Sequence, residues 1–101
     1  MNRYKIVIEY KGTNFVGWQK QDNGISIQES IEKSIKELTQ ETVQVFGAGR
    51  TDAGVHALGQ VAHFDLVKNF SKDSIRDGLN KYLRHYLISI VEASKVKDNF
   101  H

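Results

Sequence analysis

The residues that could do chemistry are concentrated in one segment, residues 47–64, which reads GAGRTDAGVHALGQVAHF. Its first eight positions contain three glycines, and only Thr51 separates the guanidinium of Arg50 from the carboxylate of Asp52. Glycine is used where the backbone takes a positive φ or approaches a ligand closely. A carboxylate in such a loop can act as a general base, a metal ligand or a covalent nucleophile, and a neighbouring guanidinium keeps it ionised. The alternative is a turn in which Asp52 caps its own backbone.

Two other interpretations of this segment find less support. The glycine spacing does not match G-x-G-x-x-G, and no G-K-[ST] ending follows, so a nucleotide-phosphate loop is not expected. His56, His63 and Asp65 lack the H-x-x-x-H or H-E-x-x-H spacing of a zinc site, and the chain has no cysteine. The sequence therefore does not predict a metal site.

A second group of residues with binding chemistry lies in the polar stretch from Gly12 to Gly24. Phe15 and Trp18 lie there beside Gln19 and a lysine. Aromatic rings next to amides and a cation can stack on nucleotides and hold them. An equally good interpretation is that the two rings close one edge of the core.

Composition limits the class of protein. The chain has 101 residues, of which 40% are hydrophobic and 26% charged, the balance expected for one globular domain over residues 1–101. The net charge of +2 permits a nucleic-acid partner without requiring one. The absence of cysteine fits a reducing cytoplasm, and no apolar run approaches the roughly 18 residues that span a membrane.

Alternation and helical spacing predict the elements that position these groups. Alternating apolar residues predict strands over 4–10, 43–46, 60–66 and 87–93. Ser26 and Ser71 precede apolar residues at helical spacing, and Ser26 forms a capping box with the glutamate three residues later. The resulting order, β-α-β-β-α-β, predicts an α+β, ferredoxin-like fold with a four-stranded antiparallel sheet and two helices on one face. The other face is then open to solvent or to a partner.

Taken together, these segments resemble the tRNA pseudouridine synthase A (TruA) family. The family signature G-R-T-D-A-G-V-H-A matches residues 49–57 without change, and residues 10–19 are similar to its Y-D-G-x-x-F-x-G-W-Q segment. The start of the first helix at 27–28, the Leu-Asn pair at 79–80 and the D-x-F-H run at 98–101 also agree. The resemblance covers essentially the whole chain.

The resemblance implies an enzyme that isomerises uridine to pseudouridine at positions 38, 39 and 40 of the tRNA anticodon stem-loop, with no metal ion or organic cofactor. It implies that Asp52 is the catalytic aspartate, attacking either C6 of the base or C1′ of the ribose. Arg50 would pair with Asp52 and help to fill the space left by the flipped-out base. Four further residues are expected to contact the RNA: Thr51, His56, Trp18 and Gln19.

The resemblance also implies what the chain lacks. Members of the family are longer and contain two ferredoxin-like halves, so this chain is expected to be the N-terminal half, with the C-terminal half absent. A conserved tyrosine of the family follows the D-x-F-H run and is therefore missing, as are the prolines common between positions 83 and 87. The whole enzyme is expected to be a cytoplasmic homodimer without a membrane segment, and the chain by itself inactive. The alternative is a non-catalytic RNA-binding or interaction module that retains the motif.

Overall fold

The structure is a computed structural model that describes residues 1–10, 26–48 and 57–100. Within these residues, four strands form one antiparallel sheet and two helices pack on one of its faces. The elements, in chain order, are β1 (Asn2–Tyr10), α1 (Ile27–Thr39), β2 (Phe46–Gly47), β3 (Ala57–Leu66), α2 (Lys72–Leu83) and β4 (Ile88–Val96). The strand order in the sheet is β2-β3-β1-β4. The prediction of an α+β, ferredoxin-like fold is therefore confirmed.

The core lies between the sheet and the helices and follows the alternation of the sequence. On β1, Tyr4, Ile6 and Ile8 are fully buried. Phe64 on β3 is also fully buried and pairs with Tyr4. Because successive side chains of a strand point to opposite faces, every second residue reaches the core. The helices contribute Ile27, Ile31 and Ile35 from α1 and Ile75, Leu79 and Leu83 from α2.

Each helix begins directly after the serine that the sequence predicts. The Oγ atom of Ser26 accepts a hydrogen bond from the main-chain N–H of Glu29 at 3.0 Å, and Ser71 Oγ accepts one from Ser74 N–H at 3.1 Å. Such a cap typically contributes about 1 kcal/mol because the first N–H groups of a helix have no intrahelical partner. The start of each helix is therefore determined by a capping residue that is adjacent to it in the sequence.

Close contact between the two helices explains a glycine inside α2. A Cβ atom at Gly78 would lie 2.6 and 2.8 Å from the two methyl carbons of Leu38 on α1. That separation is well below the roughly 3.5–4.0 Å at which non-bonded carbons attract each other. Glycine costs about 1 kcal/mol relative to alanine within a helix, and here it allows α2 to approach α1.

The second strand is shorter than predicted. The sequence predicts a strand over 43–46, whereas β2 pairs with β3 only over Phe46–Gly47. The alternation of exposure is present, since Val45 is buried and Gln44 is exposed. The prediction is wrong because side chains of α1, rather than a neighbouring strand, bind the backbone of Val45.

The turn from α2 into β4 forms without proline. A single turn of 3-10 helix, Arg84–Tyr86, follows α2, and Leu87 has φ 61°, in the left-handed region that favours glycine. The strand β4 therefore begins at Ile88, one residue later than predicted, and continues to Val96. The strands β1 and β3 begin two and three residues earlier than predicted.

Part of the chain folds back across the second face of the sheet. The main-chain oxygen of Phe100 accepts a hydrogen bond from Arg3 Nη1 at 2.6 Å. The Phe100 ring lies edge-on to His63, with ring centroids 5.9 Å apart, and Lys5 Nζ lies 5.9 Å from the centroid of the same ring. Among the described residues no helix covers this second face, and Phe100 lies over part of β1 and β3.

Among the residues that the structure describes, no helix is long and apolar enough to cross a lipid bilayer.

Candidate active site

Both segments with candidate chemistry are joined to the same end of the sheet. Tyr10, the last residue of β1, pairs with Ala57, the first residue of β3, and with Ile88, the first residue of β4. Residues 11–25 follow Tyr10, and residues 49–56 precede Ala57. We call the end marked by Tyr10, Ala57 and Ile88 the site end of the sheet. The topology thus attaches the two segments to neighbouring strand ends.

The predicted site residues themselves lie outside the described residues. Segment 49–56 contains Arg50, Thr51, Asp52 and His56, and segment 11–25 contains Trp18 and Gln19. Their roles and contacts stay predictions. The framework on either side of each segment is described.

Residues 49–56, which we call the glycine-rich segment, are held at β3 on both sides. On the entry side, β2 runs antiparallel to β3, and the N–H of Ala48 donates to the main-chain oxygen of Val61 at 2.8 Å. On the exit side, β3 itself begins at Ala57. Sites supported by regular elements hold their side chains more accurately than sites on unsupported loops. Residues 49–56 therefore begin and end at positions that the sheet fixes.

Two side chains from the first two turns of α1 bind the backbone just before β2. Glu32 Oε2 accepts a hydrogen bond from the N–H of Val45 at 2.9 Å, and Gln28 Nε2 donates to the main-chain oxygen of Val45 at 3.0 Å. Gln28 Nε2 also donates to Glu32 Oε2 at 3.1 Å. Gln28 and Glu32 are each only 9% exposed. We call Gln28, Glu32 and Val45 the Val45 clamp.

Sequence reasoning did not identify this clamp as functional. Gln28 lies in the capping-box stretch and in the matched start of the first helix, but neither pattern predicts its contact with Val45, and no prediction was made for Glu32. A signal was present, because Gln28 and Glu32 are four residues apart and each directly follows a buried isoleucine, Ile27 or Ile31. Residues at i and i+4 lie on the same face of a helix. Buried polar side chains need hydrogen-bonding partners, so Gln28 and Glu32 are expected to share one.

Aromatic side chains form a row on the second face of the sheet, beside the start of β2. The rings of Phe46 and His63 are stacked with centroids 5.3 Å apart, and Phe100 lies edge-on to His63. Phe46 is 48% exposed. With Lys5 beside Phe100, the row presents the combination of ring faces and positive charge on which RNA bases stack.

Asp65 forms a two-pronged ion pair with Arg3 on the same face. Arg3 Nε and Nη2 donate to the two carboxylate oxygens of Asp65 at 2.8 and 3.0 Å. The hydrogen bond from Arg3 lowers the pKa of the Asp65 carboxyl. His63 and Asp65, weighed above as metal ligands, are thus engaged with the aromatic row and with Arg3. Across the described residues, no group of three or more His, Asp or Glu side chains is arranged to hold a metal ion.

Acid is expected to weaken this fold through two carboxylates. Glu41 accepts hydrogen bonds from the main-chain N–H groups of Val67 and Lys68 at 2.8 and 3.0 Å, and the Val67 bond is the main cause of its lowered pKa. The pKa of Asp65 is lowered as well. A carboxyl whose folded-state pKa is lowered contributes stability that is present above its unfolded pKa and lost as the pH falls through its folded pKa. The ordinary pKa is 4.5 for Glu41 and 3.8 for Asp65. The loss of stability should therefore begin as the pH falls below the ordinary pKa of Glu41.

Urea unfolding midpoints of the 101-residue chain at about pH 6 and about pH 3 would measure this loss. Asp65→Asn should be less stable than the unaltered chain at the higher pH and should lose less stability on acidification. Glu37→Gln, a matched change at an exposed carboxylate of α1, should leave both values unchanged. An acid dependence in Asp65→Asn equal to that of the unaltered chain would contradict the assignment.

Several known proteins similar to this chain have the same name. A profile described as tRNA pseudouridine synthase matches residues 6–101. The tRNA pseudouridine synthase A of Maricaulis maris is 52% identical over 101 residues, which cover 100% of this chain and 41% of that protein. The proteins of the same name from Ehrlichia ruminantium strain Gardel and Anaplasma phagocytophilum are 55% and 54% identical, each over 98% of this chain and 41% of the relative. The chain spans about two fifths of the length of these relatives. On these matches, which extend over the whole described fold and both candidate segments, the chain belongs to the tRNA pseudouridine synthase family.

Proposed function

We propose that this chain is the N-terminal, aspartate-bearing part of an enzyme that isomerises uridine to pseudouridine at positions 38, 39 and 40 of the tRNA anticodon stem-loop. The observation that carries the proposal is the unbroken nine-residue match of residues 49–57 to the family signature. The anchoring of that segment to β3 at both ends supports it. The relatives at 52–55% identity are named tRNA pseudouridine synthase A.

The reaction needs a nucleophile that reaches a base outside the helical stack. A stacked uridine must first be extruded before a side chain can reach its reacting atoms. The Asp52 carboxylate then forms a covalent bond to C6 of the base or to C1′ of the ribose. The N1–C1′ bond breaks, the uracil rotates and a C5–C1′ bond forms. The bond between Asp52 and the substrate then breaks, which restores the free carboxylate. C5 releases its proton and N1 gains one, so the product is an isomer of the substrate and no oxidant or reductant is consumed.

The other expected site residues act around Asp52. Arg50 keeps the carboxylate ionised and aimed, because an adjacent positive charge favours the charged form. The four residues proposed to contact RNA are Thr51, His56, Trp18 and Gln19. The row of Phe46, His63 and Phe100, with Lys5 beside it, lies next to the strand that leads into the glycine-rich segment and supports a nucleic-acid partner.

The proposal extends to the setting of the whole enzyme. It acts on tRNA in the cytoplasm, as a homodimer, without a metal ion or an organic cofactor. Residues 1–101 alone should turn over a negligible amount of substrate, because the cleft of the family is built from two halves. Their binding to RNA should be weak and should decrease with added salt, since phosphate contacts release counterions.

Tritium release provides the test. Protein made from the complete reading frame that contains this chain should release tritium from unmodified tRNA labelled at C5 of uridine, because C5 loses its proton in the reaction. Primer extension on the product should then map pseudouridine to positions 38–40. Tight tRNA binding without tritium release would favour the non-catalytic RNA-binding module instead. If the complete protein neither binds tRNA nor releases tritium, both the enzyme and the RNA-binding module are excluded.

A further inference from the structure

We infer that Gln28 and Glu32 are positioning residues for the segment that carries Asp52. They act through the backbone of Val45 and make no contact with the substrate. The inference rests on the proposed function, because it assigns these residues to the site that performs that reaction.

The first support is the geometry of the Val45 clamp. Both polar main-chain groups of Val45 are bound by side chains of α1: the N–H by Glu32 and the oxygen by Gln28. In an ordinary strand, a neighbouring strand would supply both partners. The bond from Gln28 to Glu32 joins the two side chains, so neither can move without the other. The position of Val45 is therefore defined relative to α1.

The second support is the chemistry of the buried groups. Glu32 is 9% exposed, and Val45 is 1% exposed. Removing a carboxylate from water is costly even when it is paired, and apolar side chains of similar volume commonly stabilise a core as well or better. Stability alone therefore does not explain a Gln–Glu pair here. A requirement for one defined backbone position explains it, because hydrogen bonds are directional and apolar packing is not.

The third support is the shortness of β2. This strand pairs over only Phe46–Gly47, and one further hydrogen bond holds Ala48 to Val61. So few ladder bonds leave the strand open to local fraying. The Val45 clamp adds two buried hydrogen bonds at Val45, the residue directly before β2, and a third between Gln28 and Glu32. The clamp therefore fixes the entry into segment 49–56, and through it the starting point of the segment that contains Asp52.

Steady-state kinetics of the complete protein test the inference. Glu32→Leu removes the acceptor and should lower kcat for uridine isomerisation by about tenfold to about a hundredfold, the range that small misplacement of a reacting group produces. KM for tRNA should change by less than about twofold, because a residue that does not contact the substrate contributes little to ground-state binding. Glu32→Gln keeps an acceptor oxygen and should restore kcat to within about threefold of the unaltered protein. If Glu32→Leu fails to fold, Gln28→Met is the test variant, because it removes the donor and keeps a side chain of similar length.

Two controls separate positioning from stability. Glu37→Leu makes the same chemical change on the exposed side of α1 and should leave kcat unchanged. Tyr4→Phe removes hydrogen bonds to the main-chain N–H and oxygen of Phe70 at 2.8 and 2.7 Å, at the end of the sheet opposite the site end. It should lower the urea unfolding midpoint and leave kcat unchanged. An equal loss of kcat in Tyr4→Phe and Glu32→Leu, at equal loss of stability, would overturn the inference.

Hydrogen exchange of the complete protein gives a readout that does not depend on activity. In Glu32→Leu, peptides covering residues 46–48 should exchange at least about tenfold faster, because local opening exposes their amides. Tyr4→Phe should leave the same peptides unchanged. Unaltered exchange and kcat in both Glu32→Leu and Gln28→Met would overturn the inference while leaving the proposed function intact. Normal turnover after loss of the Asp52 carboxylate would instead overturn the proposed function.

Discussion

In the complete protein, Asp52→Asn is expected to lower the rate of uridine isomerisation by about a thousandfold or more, because asparagine cannot form the covalent bond proposed for the carboxylate. Asparagine has nearly the same shape as aspartate and carries no charge. The change therefore removes the nucleophile with little alteration of volume in the glycine-rich segment. Single-turnover tritium release from C5-labelled tRNA measures the chemical step directly.

The matched control for this variant is Asp73→Asn. Asp73 is an exposed carboxylate in the first turn of α2, 3.6 Å from Arg76, and its replacement makes the same chemical change away from the site. Its turnover should equal that of the unaltered protein. The affinity of Asp52→Asn for tRNA should stay within about threefold, since the role proposed for the carboxylate is in the chemical step. Near-normal turnover by Asp52→Asn would place the nucleophile elsewhere.

Phe64→Ala is expected to lower the free energy of unfolding by about 3–5 kcal/mol, the range measured for phenylalanine removed from protein cores. Phe64 is fully buried on β3, and its ring stacks on the ring of Tyr4 with centroids 5.8 Å apart. The whole free energy of unfolding of a domain is typically about 5–15 kcal/mol. One substitution should therefore remove a substantial part of the stability of the chain and lower its urea midpoint markedly.

Phe46→Ala provides the comparison on the adjacent strand. It makes the same chemical change, but Phe46 is 48% exposed on the opposite face of the sheet and stacks on His63. Loss of a surface aromatic pair should cost only about 1 kcal/mol. Urea unfolding followed by circular dichroism measures both variants. Equal losses for Phe64→Ala and Phe46→Ala would contradict the assignment of the core to the helix-covered face.

Local patterns in the sequence were sufficient to predict the order of the elements and their buried faces. Tyr4, Ile6 and Ile8 alternate with polar residues because one face of β1 is covered by helices. Ser26 and Ser71 mark helix starts because their hydroxyl groups satisfy N–H groups within three residues. Such signals depend on near neighbours along the chain, and for that reason they can be recognised without a structure.

Long-range contacts could not be predicted in the same way. The true length of β2 depends on Glu32, thirteen positions before Val45. The spacing of Gln28 and Glu32 indicates that both need hydrogen-bonding partners, but it does not identify Val45 as the partner. The pairing of Tyr10 with Ala57 depends on a register shift between Ile8 and Glu9. A strand register predicted from alternation alone would not include that shift. The motif identified the segment that carries Asp52, whereas the anchoring of that segment follows only from the strand register.

The position of β1 between β3 and β4 has a consequence for folding during synthesis. Among the elements that the structure describes, the ribosome makes β1 first, yet one of its two partner strands, β4, emerges last. Until then one edge of β1 has unpaired N–H and C=O groups, which other chains can pair with. Pairing between distant segments is also slow because a long loop must close first. Slowing translation between Leu66 and Ile88 should therefore lengthen the interval in which the nascent chain is most prone to aggregate.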